Sequence, residues 1–242
     1  MKIGILQTGK RPEELANKHI DYNKMFENLL ADPSFEFETY VVLDDHFPEN
    51  VRAADAWLIT GSKYGAYEDY AWIRKLEQFI RDAHAAKIPM IGICFGHQII
   101  AQALGGKVEK FNGGWSIGAK EYVLQDGRDK VTLNAWHQDQ VVEKPHNAKP
   151  LAGNDFCQFA ALSYEDHILT WQPHPEFDNS YLKSLLEFRA HSLPDDIVET
   201  GFSSIETPIS QNLIARQMVD FFKKHIGSKG HLEAQMGEML DD

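Results

Sequence analysis

Cysteine is scarce in this chain: only Cys94 and Cys157 occur in 242 residues. That excludes a disulfide framework, and no paired Cys/His cluster has metal-ligand spacing, so no metal site is expected. Long apolar runs are also missing, with nothing near the ~20 residues that a membrane span needs. The start, MKIGILQTGKRPEE, turns polar too soon to read as a secretory signal. Together these absences set the expectation of a cytoplasmic protein in a reducing setting, without membrane contact. Positive charge is in deficit, 24 basic residues against 36 acidic, for a net charge of −12. Such a surface repels a phosphate backbone, so nucleic acid is not an expected partner. No G-x-x-x-x-G-K-[ST] phosphate cradle occurs either, which argues against an ATP-using domain.

What is present centres on Lys87–Leu104, KIPMIGICFGHQIIAQAL. Ile88–Ile93 reads as a short buried strand, and His97–Leu104 has the composition of a helix start. Between them Cys94 stands in Gly92-Ile93-Cys94-Phe95-Gly96, the pattern of a nucleophile elbow. The glycines permit close backbone approach, and a helix starting here aims free N–H groups and its dipole at the sulfur. Alone, Cys94 is equally readable as a small buried apolar residue. About eighty residues later, Thr170-Trp171-Gln172-Pro173-His174-Pro175-Glu176-Phe177 supplies a histidine and a carboxylate two positions apart. The prolines favour extended backbone, which turns residues two apart to one side. Cys94, His174 and Glu176 therefore compose a Cys-His-Glu triad.

These two motifs resemble those of the class I (triad) glutamine amidotransferases. The nucleophile signature matches at Gly92, Cys94, Phe95, Gly96, His97 and Gln98, and the distal one at Gln172, His174, Pro175 and Glu176. The resemblance runs from about Ile3 to Phe222. It implies an α/β, flavodoxin-like fold: an open, mostly parallel sheet with helices on both faces and a small antiparallel extension. It also implies an oxyanion site made by the Phe95 N–H and by Gly61 or Ser62. The loop here reads Gly61-Ser62-Lys63 where the family often has two glycines and a proline, so the second donor stays open between those two. Substrate contacts are implied at Gln98 and, in the Gly113–Gly118 loop, at Ser116 and Ile117. His137-Gln138-Asp139 resembles the H-G-D segment of the GMP synthetase branch, with Gln138 in place of glycine. His137 and Asp139 are read as structural or rim residues.

The rest of the chain alternates strand and helix, as expected of a parallel sheet covered on both faces. Strands are expected at Lys2–Leu6, Phe35–Leu43, Ala56–Thr60, Lys107–Phe111, Ala119–Leu124 and Ile168–Gln172. Helices are expected at Pro12–Leu30, Tyr70–Ala86, Tyr181–His191 and Gln211–Ile226, the second with its apolar residues three and four apart. Cys157, in an apolar run without a glycine turn, reads as core. Leu193–Ser210 reads as a polar insert or lid. Residues 1–226 are expected to form one domain, with 227–242 a loosely ordered tail.

The resemblance implies hydrolysis of the γ-glutamyl amide of glutamine through a Cys94 thioester, without a cofactor. A separate synthetase subunit could accept the ammonia, or the chain could act alone on γ-glutamyl peptides or conjugates. A non-catalytic regulatory module on the same fold is the alternative outside enzyme chemistry.

Overall fold

The computed structural model describes residues 1–125 and 127–238, with side chains described through 225. Its strands, in chain order, are β1 (Lys2–Leu6), β2 (Glu36–Tyr40), β3 (Ala56–Ile59), β4 (Met90–Ile93), β5 (Lys107–Lys110) and β6 (Ser116–Leu124). Then come β7 (Lys130–His137), β8 (Asp139–Glu143), β9 (Ala148–Gly153), β10 (Ala161–Tyr164) and β11 (Ile168–Trp171). The helices are α1 (Tyr22–Leu29), α2 (Ala71–Ala85), α3 (Phe95–Ala103), α4 (Asn179–Arg189), α5 (Asp195–Ser203) and α6 (Gln211–Glu238).

Nine strands form one sheet in the order β2-β1-β3-β4-β11-β10-β9-β6-β7, and β5 pairs with β8 in a second. From β2 to β11 every pairing is parallel; from β11 outward every pairing is antiparallel. The mixed architecture read from the sequence is present, and its antiparallel extension amounts to four strands. The inner parallel strands β1, β3, β4 and β11 read as near-continuous apolar runs because both faces are covered. Their residues alternate between two cores, as the two-residue period of a strand requires. Leu6, Trp57, Ile59 and Met90 join one cluster with residues of α2 and α3, including Leu76, Ile80 and Ile99. Ile5, Leu58, Ile91 and Ile93 join the other with Phe26 of α1 and Met218 and Phe222 of α6. Each such fully buried side chain contributes about 1.5–3 kcal/mol.

Several elements differ from expectation, among them β9, which no expected strand covers. The Pro12–Leu30 helix is broken into a 3-10 turn at Glu13–Leu15 and α1. Asp21 is the cause: its carboxylate caps α1 by accepting from the Tyr22 N–H at 2.8 Å and also accepts from the Arg11 N–H at 2.9 Å. An aspartate at an N-cap starts a helix rather than continuing one. The polar insert contains α5, with Asp195 and Asp196 in its first turn where the helix dipole favours them. Finally, α6 continues past Ile226 to Glu238; residues 239–242 of the expected tail lie outside the described residues. No helix among the described residues is long and apolar enough to cross a membrane.

Candidate active site

The parallel half of the sheet brings the two distant motifs together. β4 and β11 are neighbours, with Ile93 opposite Trp171, and the Cys94 N–H donates to the Trp171 carbonyl at 2.8 Å. Cys94 follows β4 and His174 follows β11, so both stand beyond the carboxyl ends of adjacent parallel strands, where open α/β sheets bind ligands. Cys94 has φ 53° and ψ −103°, a conformation costly for a side-chain-bearing residue. The flanking glycines make room for that bend. A Cβ on Gly92 would meet the Gly96 carbonyl oxygen at 2.5 Å, and one on Gly96 would collide with the Ile59 backbone.

His174 is held from three sides. Its Nδ1–H donates to Glu176 Oε1 at 2.8 Å, its main-chain N–H donates to the Asn134 carbonyl at 2.8 Å, and its ring stacks on Phe177. The stacked centroids are 4.0 Å apart with the planes 3° from parallel. Bonding Nδ1 to the carboxylate leaves the other ring nitrogen available to Cys94, which lines the same cavity. Burial opposes the charged ring, yet the Glu176 carboxylate and the Cys94 sulfur outweigh it and raise His174 to about 10. Glu176 Oε2 has no hydrogen-bond partner among the described residues, so the imidazolium is the main compensation for that buried negative charge.

Gly61 closes the group. A Cβ there would lie 3.1 Å from His174 Cε1 and 3.7 Å from Cys94 Cβ. Nearby main-chain donors are already spoken for: Cys94 N–H by Trp171 and Gly96 N–H by the Thr60 carbonyl at 3.2 Å. The Phe95, Gly61 and Ser62 N–H groups have no partner among the described residues. Free main-chain donors close to the nucleophile are what a developing oxyanion requires. The Gly61 carbonyl is fixed by the Thr8 hydroxyl at 3.1 Å, and the Ser62 hydroxyl donates to the Thr8 carbonyl at 2.7 Å.

A cavity of about 440 Å³ contains Cys94, His174, Gly61 and Ser62 in its wall, with Tyr22 and Trp136. A second, of about 450 Å³, reaches Glu176 but neither Cys94 nor His174. The substrate-contact candidates lie outside both. Gln98 spends both amide hydrogens internally, on the Asp139 carbonyl at 2.9 Å and on Gln172 Oε1 at 3.1 Å, tying α3 to the segment that carries His174. Ser116 and Ile117 open β6 opposite His137 and Trp136, and the Ile117 side chain packs on Leu182 and Leu186. His137 is no second triad base: its Nδ1–H donates to the Asp139 main-chain carbonyl at 3.2 Å, not to the carboxylate. Burial, and then the charge on His174, push His137 down to about 3. Among the described residues no three His, Cys, Asp or Glu side chains converge to hold a metal ion.

Sequence reasoning missed the loop after β1, Asn134 and Phe177 as parts of this site. Phe177 had a signal, since it directly follows Glu176; Asn134 had none.

Residues 19–191 match the family description "Glutamine amidotransferase class-I". The chain belongs to the class I glutamine amidotransferases. It is 33% identical over 201 residues to γ-glutamyl peptidase 4 of Arabidopsis thaliana, covering 76% of this chain and 80% of that one. It is 29% identical over 184 residues to one subunit of the glutamine-hydrolysing GMP synthase of Saccharolobus solfataricus, covering 73% and 89%. A glutamine amidotransferase structure from Thermotoga maritima superposes with a TM-score of 0.74 at 18% identity, covering 93% of this chain and 98% of the other. That last likeness speaks to the fold alone.

Proposed function

We propose that this amidotransferase-family chain hydrolyses a γ-glutamyl amide through a thioester on Cys94. The observation that supports the reading is the buried 2.8 Å Glu176–His174 contact with Cys94 in the same cavity wall and unpartnered N–H groups at Phe95, Gly61 and Ser62. His174 takes the thiol proton and, with its raised proton affinity, holds it while the sulfur attacks the amide carbonyl. Negative charge on the carbonyl oxygen is met by the Phe95 N–H and by Gly61 or Ser62 N–H, each such donor being worth ~10²–10³ in rate. His174 then protonates the departing amine. Water, activated by the same ring, cleaves the thioester and releases glutamate. Glu176 and Phe177 keep the imidazole in one plane and one tautomer throughout. No step calls for a cofactor.

The catalytic unit is taken as residues 1–226, and a nucleophilic thiol of this kind suits a reducing, cytoplasmic setting. Gln98 serves the site by tying α3 to Gln172 in the segment that carries His174, while Ser116 and Ile117 line neither cavity. Similarity to a γ-glutamyl peptidase supports action without a partner. Similarity to a GMP synthase subunit supports a second reading, in which released ammonia passes to a separate synthetase subunit. The deciding experiment measures glutamate release by the purified chain from glutamine and from γ-glutamylglycine. Unassisted release that disappears in Cys94→Ala is the expected result. Release from neither compound would overturn stand-alone hydrolysis.

A further inference from the structure

The turn that carries His174 and Glu176 has little of its own to hold it in place. Pro173 and Pro175 supply no N–H. Among the described residues, the one main-chain bond within Gln172–Phe177 runs from the Phe177 N–H to the His174 carbonyl and is long, 3.3 Å. The turn belongs to no helix, and a single isolated bridge, His174 to Asn134, joins it to β7. In the hydrolytic reading, the relay from Glu176 through His174 to Cys94 depends on where this turn sits.

Two side chains from elsewhere take up its carbonyls. Asn134, on β7, is wholly buried. Its main-chain carbonyl accepts from the His174 N–H at 2.8 Å, and its Nδ2 donates to the Phe177 carbonyl at 3.0 Å. One residue thus grips both ends of the His174–Phe177 stretch. Between those ends, Gln211 at the start of α6 donates from Nε2 to the Pro175 carbonyl at 2.6 Å. Asn134 Oδ1 is buried without a partner among the described residues, so this amide carries a cost that its two donors must offset. Neither Asn134 nor Gln211 lines the cavity that holds Cys94.

Both residues are fastened to the polar insert, Leu193–Ser210. Asn134 Nδ2 also donates to Asn179 Oδ1 at 3.0 Å, and Asn179 Nδ2 donates to the Thr207 carbonyl at 3.1 Å. Ser210, next to Gln211, is tied to β7, the last strand of the sheet. Its N–H donates to the Thr132 carbonyl at 2.7 Å, and its Oγ accepts from the Thr132 N–H at 3.0 Å. Thr132 and Asn134 stand two apart, so the insert and the catalytic turn dock side by side along one strand edge. On β6, the Ala119 N–H donates to Ser204 Oγ at 3.0 Å. A segment fastened at three places does not behave as a lid. Resting on the hydrolytic reading above, we infer that the insert is a brace, with Asn134 and Gln211 as positioning residues that set the His174–Glu176 turn against Cys94.

The test removes donors from the full chain without changing side-chain size. Gln211→Glu turns the donating amide into an oxygen facing the Pro175 carbonyl oxygen, at a partly exposed position that does not threaten folding. Glutamate release from glutamine or γ-glutamylglycine should then show kcat lower by roughly tenfold to 10²-fold with KM unchanged. The His174 ring signals, followed by NMR, should shift in the same variant. Asn134→Asp should lose more where circular dichroism shows it folded, and Gln211→Glu decides the matter where it is not. The exposed neighbour Asn212→Ala is the control and should change neither reading. A folded Gln211→Glu with a lower melting temperature but unchanged kcat and unchanged His174 signals would overturn the inference, as would a rise in KM alone. Shifted His174 signals together with no turnover by the unmodified chain would keep the brace and overturn the hydrolytic reading.

Discussion

The two cysteines of this chain are equally hidden, Cys94 5% exposed and Cys157 2%, and both belong to one apolar cluster. Their surroundings differ in everything else. Cys94 sits in a left-handed turn at a helix start with an imidazole against its sulfur. Cys157 sits in a turn where Asn154 Oδ1 accepts from its N–H at 2.7 Å, and burial pushes its thiol up to about 12. Burial alone therefore says little about reactivity. The backbone bend and the partner brought by a distant strand make the difference.

The largest test of that contrast exchanges each thiol for a methyl group. Cys94→Ala should lose roughly 10⁴-fold or more of γ-glutamyl amide turnover, while Cys157→Ala keeps it. A folded Cys157→Ala without activity would break the comparison. Next, Glu176→Gln should lower kcat by roughly 10²–10⁴. In the same variant the His174 ring, followed by NMR titration, should lose the raised proton affinity that now reaches about 10. An unchanged titration would mean that Glu176 does not control the imidazole. A smaller effect is expected from Gly61→Ala, whose Cβ would press on His174 Cε1 at 3.1 Å. Misplacing the ring there should cost on the order of 10² in kcat with the fold intact, checked by circular dichroism.

Stability sharpens the contrast further. The proton affinity of His174 in the folded chain is raised above its ordinary 6.5 to about 10. Its contribution is therefore fully present below pH 6.5 and is lost as pH rises through about 10. Between those limits the melting temperature of the unmodified chain should fall several degrees further than that of His174→Gln. Parallel pH profiles would show that the charged ring adds no stability. Cys157→Ser, by burying a hydroxyl in an apolar site, should cost about 1–3 kcal/mol in denaturant unfolding and leave the site chemistry alone.

Much of this was legible in the sequence because it was local. Strand Lys2–Leu6 and helix Ala71–Ala85 carry their own hydrophobic period, and the glycines around Cys94 announce the bend that distinguishes it from Cys157. His174 and Glu176 lie two residues apart, so their 2.8 Å contact was readable as well. What was not legible depends on strand order. The β4–β11 pairing that sets Cys94 beside His174 has no local signature. Neither does the meeting of Asn134, Asn179 and Gln211 around the His174 turn, since they come from three separate elements. The break before α1 was the nearer miss, because Asp21 is a typical N-cap but competed with a continuous apolar pattern.

The most direct test of the relay uses a chloroketone analogue of glutamine, followed by mass mapping of the modified protein. The expected result is modification at Cys94 that glutamine or a γ-glutamyl peptide suppresses. Modification confined to Cys157, or none at all, would contradict the relay.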